Sequence, residues 1–409
     1  MRPSATHRTF SEWSRRCIAV LAAVLALLPQ EVPAHDPDFW GGLFRTQDSG
    51  ITWSPINPGI FPSGALALAI SPRDPNHLLL ATDSGVWRSR NGGRDWDVEA
   101  QGILTGPAFA AAFDVDGERA LVAGSSTLYR DEGDRWRPVR TPAAAAPARA
   151  LVAGSVPGRV YLAGRSGLYR SDDWGQSWVN MAGTLKANHV DALLVRPGRP
   201  DEVYVLVGGS VWSSGDGAGN WQRRAEGVSA SGVEAVGIDP SNPAHLWAVG
   251  AGQVFRSDHQ GAHWRPVGKP VPEPRATARA AAVWGNVILI ATDRGVFRSA
   301  DGGERWELPN ESLPAHLAAG VLVRDSRRPA TLYAGFALTT YEELRARALQ
   351  NETASSGFGL GSIAGGTAFV VLLALGVITA MRRLARTRRR TPDADASHRE
   401  NRSIDQTPR

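Results

Sequence analysis

The chain has a single cysteine in 409 residues, Cys17, and it opens an N-terminal apolar run that an exported protein is expected to lose. Disulfides and thiolate metal sites are thereby excluded from the mature chain. Lysine is nearly absent too. Of 45 basic residues only Lys186 and Lys269 are lysine, a bias that reads as GC-rich bacterial coding before it reads as function. The nine histidines are scattered, and only His259 and His263 stand at i, i+4, in a segment that reads as turn and strand. There is no His-Glu-x-x-His, no phosphate loop ending in Lys-Ser/Thr and no EF-hand loop. No catalytic, metal-binding or cofactor-binding residue is therefore assigned. The net charge of +5 is no sign of nucleic acid, because six arginines crowd between Arg382 and Arg390. Long apolar runs are confined to the two ends, so the middle of the chain is extracted from water by short elements only.

What fills that middle is a repeat. Gly295-Val-Phe-Arg-Ser-Ala-Asp-Gly-Gly-Glu-Arg-Trp306 recurs, with closing tryptophans at Trp53, Trp96, Trp136, Trp178, Trp221, Trp264 and Trp306 and steps of 43, 40, 42, 43, 43 and 42 residues. A period near 42 in seven copies is the signature of stacked supersecondary units. Each copy reads as a Gly-apolar-aromatic-Arg strand, a tight turn built from Ser/Thr, Asp/Asn and Gly, and a second strand opened by tryptophan. Two apolar runs lie between successive copies, as in Ala65–Ile70 with Leu78–Ala81 and Val233–Ile238 with Leu246–Val249. Four strands per repeat predict an all-β fold whose repeats are the blades of a β-propeller.

The strand count predicts how the ring closes. The first turn has no room before it for two inner strands, whereas 317–323 and 331–334 form an inner pair with no turn after it. Pairing the two ends gives seven blades, one shared by both ends of the chain, and removes the exposed sheet edges.

The flanks read as export and anchoring. Residues 1–34 combine a basic start, an apolar run and Val32-Pro-Ala34, as a signal peptide does. The propeller is expected over 36–340, a juxtamembrane helix or stalk over 341–358, and a transmembrane α-helix over 359–381. A basic cytoplasmic tail then occupies 382–409. That order places the propeller in the periplasm or outside the cell, on a single-pass bacterial inner-membrane protein. Gly357, Gly361 and Gly365 recur every four residues, a spacing that lets helices approach closely and offers self-association in the bilayer.

The turn pattern Ser-x-Asp-x-Gly-x-x-Trp resembles the Asp-box, or bacterial neuraminidase repeat. It is carried by Asp48 with Trp53, Asn91 with Trp96, Asp173 with Trp178, and Asp301 with Trp306. Three copies depart: the third is shortened (Asp131 to Trp136), the fifth has Ala218 for Gly, and the sixth has Asp258 one place early. A carboxylate between two outer strands is expected to accept N–H bonds from its own turn, so these aspartates are read as structural. The resemblance to neuraminidases would imply an arginine trio with a Tyr/Glu pair, but no Arg-Ile-Pro occurs, and Tyr129, Tyr161, Tyr169, Tyr204 and Tyr333 fall on strand positions.

A single exported seven-bladed propeller over 36–340 resembles the photosystem II assembly and stability factor family. That resemblance implies a non-enzymatic protein holding membrane-protein partners, partly through an arginine-rich face, although this chain adds a C-terminal anchor. The candidate partner-binding residues are Arg140, Arg165, Arg223, Arg224, Arg265 and Arg294, on loops that run from one blade to the next and on second-to-third turns. The expected partners are proteins of the envelope and, through the span, the lipid bilayer. A carbohydrate-binding or glycoside-hydrolysing, sialidase-like propeller is the alternative, and it requires converging carboxylates in an aromatic cleft.

Overall fold

The computed structural model describes residues 42–56, 64–99, 106–133, 135–164, 166–181, 183–185, 189–224, 226–228, 232–308, 312–314, 317–337 and 339–355. The expected signal, the span 359–381, the basic tail and the glycine triplet lie outside the described residues. Among them, no helix is long and apolar enough to cross a membrane.

Among the described residues the strands form seven antiparallel sheets, six of four strands and one of three. Blade 2 shows the plan: Ala65–Ile70 innermost, then Leu78–Thr82, Gly85–Ser89 and, outermost, Asp97–Val98. Blades 3 to 6 repeat it with inner strands Ala110–Phe113, Ala150–Ala153, Ala192–Val195 and Ala235–Ile238. In blade 7, Ala278–Trp284, Val287–Thr292 and Gly295–Ser299 pair in order, and the outermost strand shrinks to one bridge between Arg298 and Glu307. Blade 1 joins the two ends of the described chain. Ala318–Arg324 and Leu332–Ala337 supply its inner half, Gly42–Thr46 and Ser54–Pro55 its outer half. Leu43 lies opposite Gly335 and Arg45 opposite Tyr333. Innermost strands touch in succession from blade 1 round to blade 7 and back to blade 1, so the ring is closed.

The packing explains why the second strand of each blade reads as a continuous apolar run. Leu78–Thr82, Val160–Ala163 and Leu332–Ala337 are buried along their whole length, because each is covered by a blade on either side. Side chains alternate along a strand, so Leu78 and Leu80 join the core between blades 1 and 2 while Leu79 and Ala81 join the core between blades 2 and 3. Val203 and Val205 face blade 4, and Tyr204 and Leu206 face blade 6. The described residues form seven such apolar clusters, one at each blade interface.

Two side chains of the repeat tie many of the blades to a neighbour. In four copies the closing tryptophan donates its indole N–H to a carbonyl at the outer end of the preceding blade: Trp96 to Ile56 O at 2.8 Å, Trp221 to Met181 O at 2.9 Å, Trp264 to Arg224 O at 3.1 Å, Trp306 to Lys269 O at 2.9 Å. In three copies the strand arginine reaches a backbone carbonyl in the following blade's turn. Arg45 donates to Gly92 O, Arg170 to Gly217 O and Arg298 to Ser49 O, at 2.8, 2.7 and 2.9 Å. The last of these crosses the joint between the two ends of the chain.

Candidate partner-binding face

The repeated turns occupy one face of the ring. In the first, Thr46 Oγ1 donates to Asp48 Oδ1 at 2.6 Å and accepts from Gly50 N at 2.9 Å, while Ile51 N and Thr52 N donate to Asp48 Oδ1 at 3.0 and 2.9 Å. Asp173, Asp216 and Asp301 accept the same backbone donors from Ser177, Asn220 and Arg305. Burial by itself would raise the Asp48 pKa, but the Thr46 and Thr52 hydroxyls and the turn amides outweigh it and bring the carboxyl down to about 2. Asp216 is likewise lowered to about 2, first by the Ser214 hydroxyl and then by Asn220 N–H. A carboxylate so committed to its own turn is a poor proton donor at neutral pH.

The departures from the repeat keep the turn by other means. Ala218 adopts φ 75° in the glycine place, and its N–H still bonds Ser214 Oγ at 2.9 Å. In the sixth copy Gly261 N bonds Ser257 Oγ at 2.8 Å while Asp258 turns away to Arg256 Nε at 2.6 Å. In the third, Asp131 stands where Ser or Thr is usual. It accepts from Gly133 N at 2.7 Å and receives Arg88 of blade 2 at 2.5 Å.

The opposite face carries the loops between blades, and the chain returns to its centre. Thr340 caps the helix Tyr341–Ser355: Leu344 N donates to Thr340 O at 3.1 Å and Glu343 N to Thr340 Oγ1 at 3.3 Å. Glu342 and Glu343 lie in the first turn, where the helix dipole favours negative charge. This first turn docks onto the propeller. The Glu342 carboxylate bridges Arg149 and Arg279, at the starts of the inner strands of blades 4 and 7, accepting from Nη1 of each at 3.1 Å. Tyr341 stacks edge-on against Phe109 at 5.4 Å, lies under the Arg149 guanidinium at 4.4 Å, and donates its hydroxyl to Ala148 O. Arg345 contacts His189 Nδ1 at 3.2 Å, and His189 Nε2 meets Asp191 at 3.0 Å.

Burial pushes the Tyr341 hydroxyl up to about 12 against the pull of Arg149 and Arg345. For Glu342, burial raises and Arg149 and then Arg279 lower, and the carboxyl ends below its usual range. The helix Tyr341–Ser355 therefore begins with its first turn seated on the ring.

The arginines singled out in the sequence are spread round the ring. Arg140 and Arg294 are exposed on blades 3 and 7. Arg223 is exposed on blade 5 and bonds Ser210 Oγ at 2.9 Å, while Arg224 bonds Ser213 Oγ at 2.7 Å. Arg265 faces Asp258 in its own blade at 3.4 Å. Arg165 lies outside the described residues. None of these six is in the central pair. Arg149 and Arg279 head inner strands of different blades, outside the between-blade loops and second-to-third turns from which the sequence candidates are drawn. The Thr340-x-x-Glu343 capping pattern and the acidic first turn were the signal within reach. At the equivalent places in blades 5 and 6, Asp191 and Glu234 accept turn amides from Gly208 and Ala251.

Among the described residues no three His, Cys, Asp or Glu side chains are grouped to hold a metal ion. No family model and no curated protein matches the chain. Solved structures do. YCF48 bound to D1 peptide superposes with a TM-score of 0.53 at 17% identity, over 66% of this chain and 93% of that one. The likeness is one of fold. YCF48 from Cyanidioschyzon merolae gives 0.53 at 15% identity, over 67% and 95%. The extracellular domain of a putative one component system from B. thetaiotaomicron gives 0.54 at 12%, over 67% of this chain and 37% of that one.

Proposed function

We propose that this protein is a non-enzymatic, membrane-anchored extracytoplasmic propeller that binds a protein partner on its loop face and aids assembly or stability of an envelope or membrane complex. The observation that carries this reading is the centre of that face. Arginines from two blades there grip a carboxylate on a peptide segment, the chemistry of peptide capture and not of bond cleavage. The exposed Arg140, Arg223 and Arg294 extend positive charge outward from it. Support also comes from the repeated aspartates, which are spent on their own turns. A solved structure of similar fold holds a peptide. Export through 1–34 and anchoring through 359–381 follow from the sequence and complete the proposal.

The test is crosslinking in native membranes followed by purification, comparing the wild type with a variant carrying Arg140→Glu, Arg223→Glu and Arg294→Glu. A partner lost from the variant supports the reading. Equal recovery from both removes the basic face from it, and hydrolysis of sialosides or glucans by the purified protein overturns it in favour of the glycosidase alternative.

A further inference from the structure

The docked helix start behaves as a ligand does. Its contacts come from four blades: Phe109 from blade 3, Arg149 from blade 4, Arg345's partner His189 from blade 5, and Arg279 from blade 7. Aromatic and acid sit side by side, with Tyr341 under one guanidinium and Glu342 between two. Yet the fit is incomplete. Arg279 Nε is buried with no hydrogen-bond partner. A cavity of about 170 Å³ lies at the docking place, walled by the small residues Ala65, Ala318, Gly320 and Ala337. The Glu342 side chain keeps 52% of its exposure, and ion pairs that open to solvent contribute only about 0–1 kcal/mol. A ligand held this way is tethered, and it is replaceable.

We propose that Arg149 and Arg279 form a carboxylate-binding clamp at the mouth of the propeller's central channel, that the chain's own Tyr341–Glu342 fills it in cis, and that a partner peptide bearing an aromatic residue beside a carboxylate enters by displacing the helix. The proposal rests on the partner-binding reading above and adds to it a self-occupied site and the grammar of its ligand. A tether of this length presents its ligand at an effective concentration of roughly millimolar order. A free peptide at micromolar concentration is therefore excluded until the tethered contacts are removed.

The test uses the full-length protein and a fluorescein-labelled peptide of residues 339–348, Thr-Thr-Tyr-Glu-Glu-Leu-Arg-Ala-Arg-Ala, followed by fluorescence polarisation. The Tyr341→Ala, Glu342→Ala variant is expected to bind the probe at least about tenfold more tightly than the wild type, since an occupant that leaves a tenth of the sites free weakens apparent affinity by that factor. Adding Arg149→Glu and Arg279→Glu to that variant is expected to abolish the gain. Should the double variant melt early, Glu342→Gln alone keeps the side-chain shape and is expected to shift affinity in the same direction. No gain in a folded variant, or a gain that survives reversal of both arginines, overturns the proposal. Because the probe is a piece of this chain, the outcome does not depend on whether an envelope partner exists, so failure here is distinguishable from failure of the functional reading.

Discussion

Asp48 shows what one residue of the repeat does. Its carboxylate holds two amides and two hydroxyls, so removing it leaves several turn donors to water. Asp48→Ala is expected to destabilise the protein by about 1–2 kcal/mol, measured by urea unfolding at pH 7. Its folded pKa, about 2, lies below the ordinary 3.8. That contribution is therefore complete above about pH 4 and is lost as the pH falls toward 2. The variant should show a shallower acid loss than the wild type. Glycine supplies a second residue-scale test. Gly268 and Gly285 have nearly the same left-handed φ, 60° and 58°, but a Cβ at Gly268 would lie 2.3 Å from the Gly303 backbone while one at Gly285 meets nothing within 4 Å. Gly285→Ala should cost about 1–2 kcal/mol of backbone strain, and Gly268→Ala clearly more. Equal melting temperatures for the two variants would mean that blades 6 and 7 do not approach as described.

At the scale of the element, the irregular copies of the repeat are informative. The third turn has lost its hydroxyl because its aspartate has a second duty. Asp131 and Glu99 together neutralise Arg88, all three side chains being largely buried, and Trp136 donates to Glu99 at 2.6 Å. Asp131→Ala leaves a buried guanidinium short of a partner and should cost about 3–5 kcal/mol, well beyond the effect of Asp48→Ala. His77 belongs to the same interface, its Nε2 2.7 Å from Arg88 Nη1 and its ring edge-on to Phe113. Burial first, and then the positive charge of Arg88, lower its pKa from 6.5 to about 4. The unfolded chain thus binds a proton there before the folded one does, and stability should fall as the pH drops from 6.5 to 4. His77→Gln is expected to flatten that slope in urea midpoints taken across the range. A spacing of 40 instead of 42 or 43 marked this copy as unusual in the sequence. Its partner in the preceding blade was not legible, since residues 32 and 43 positions apart meet only once blades stack.

For the whole molecule, stability depends on closing the ring. Phe44 is buried and packs edge-on against Phe336 at 5.4 Å across the joint of the two ends. Phe44→Ala should cost about 3–5 kcal/mol, and hydrogen exchange should then speed up in 332–337 as well as in 42–46, because the two strands protect each other. Protection that persists in 332–337 would show that the closing blade holds without its first-entering strand.

The sequence alone determined the number of blades, the order of strands within each, and the pairing of the first outer strand with the last inner pair. Those follow from periodicity and turn chemistry, which act between residues close in the chain. Only the tertiary structure decided that Arg149 and Arg279, 130 residues apart, meet over one carboxylate, and that the segment expected as a stalk begins as an occupant of the channel mouth. Residues that head strands in different blades carry no local mark of convergence. Their meeting is a property of the ring's curvature, and it appears only when seven stacked sheets bring the inner strands to a common axis.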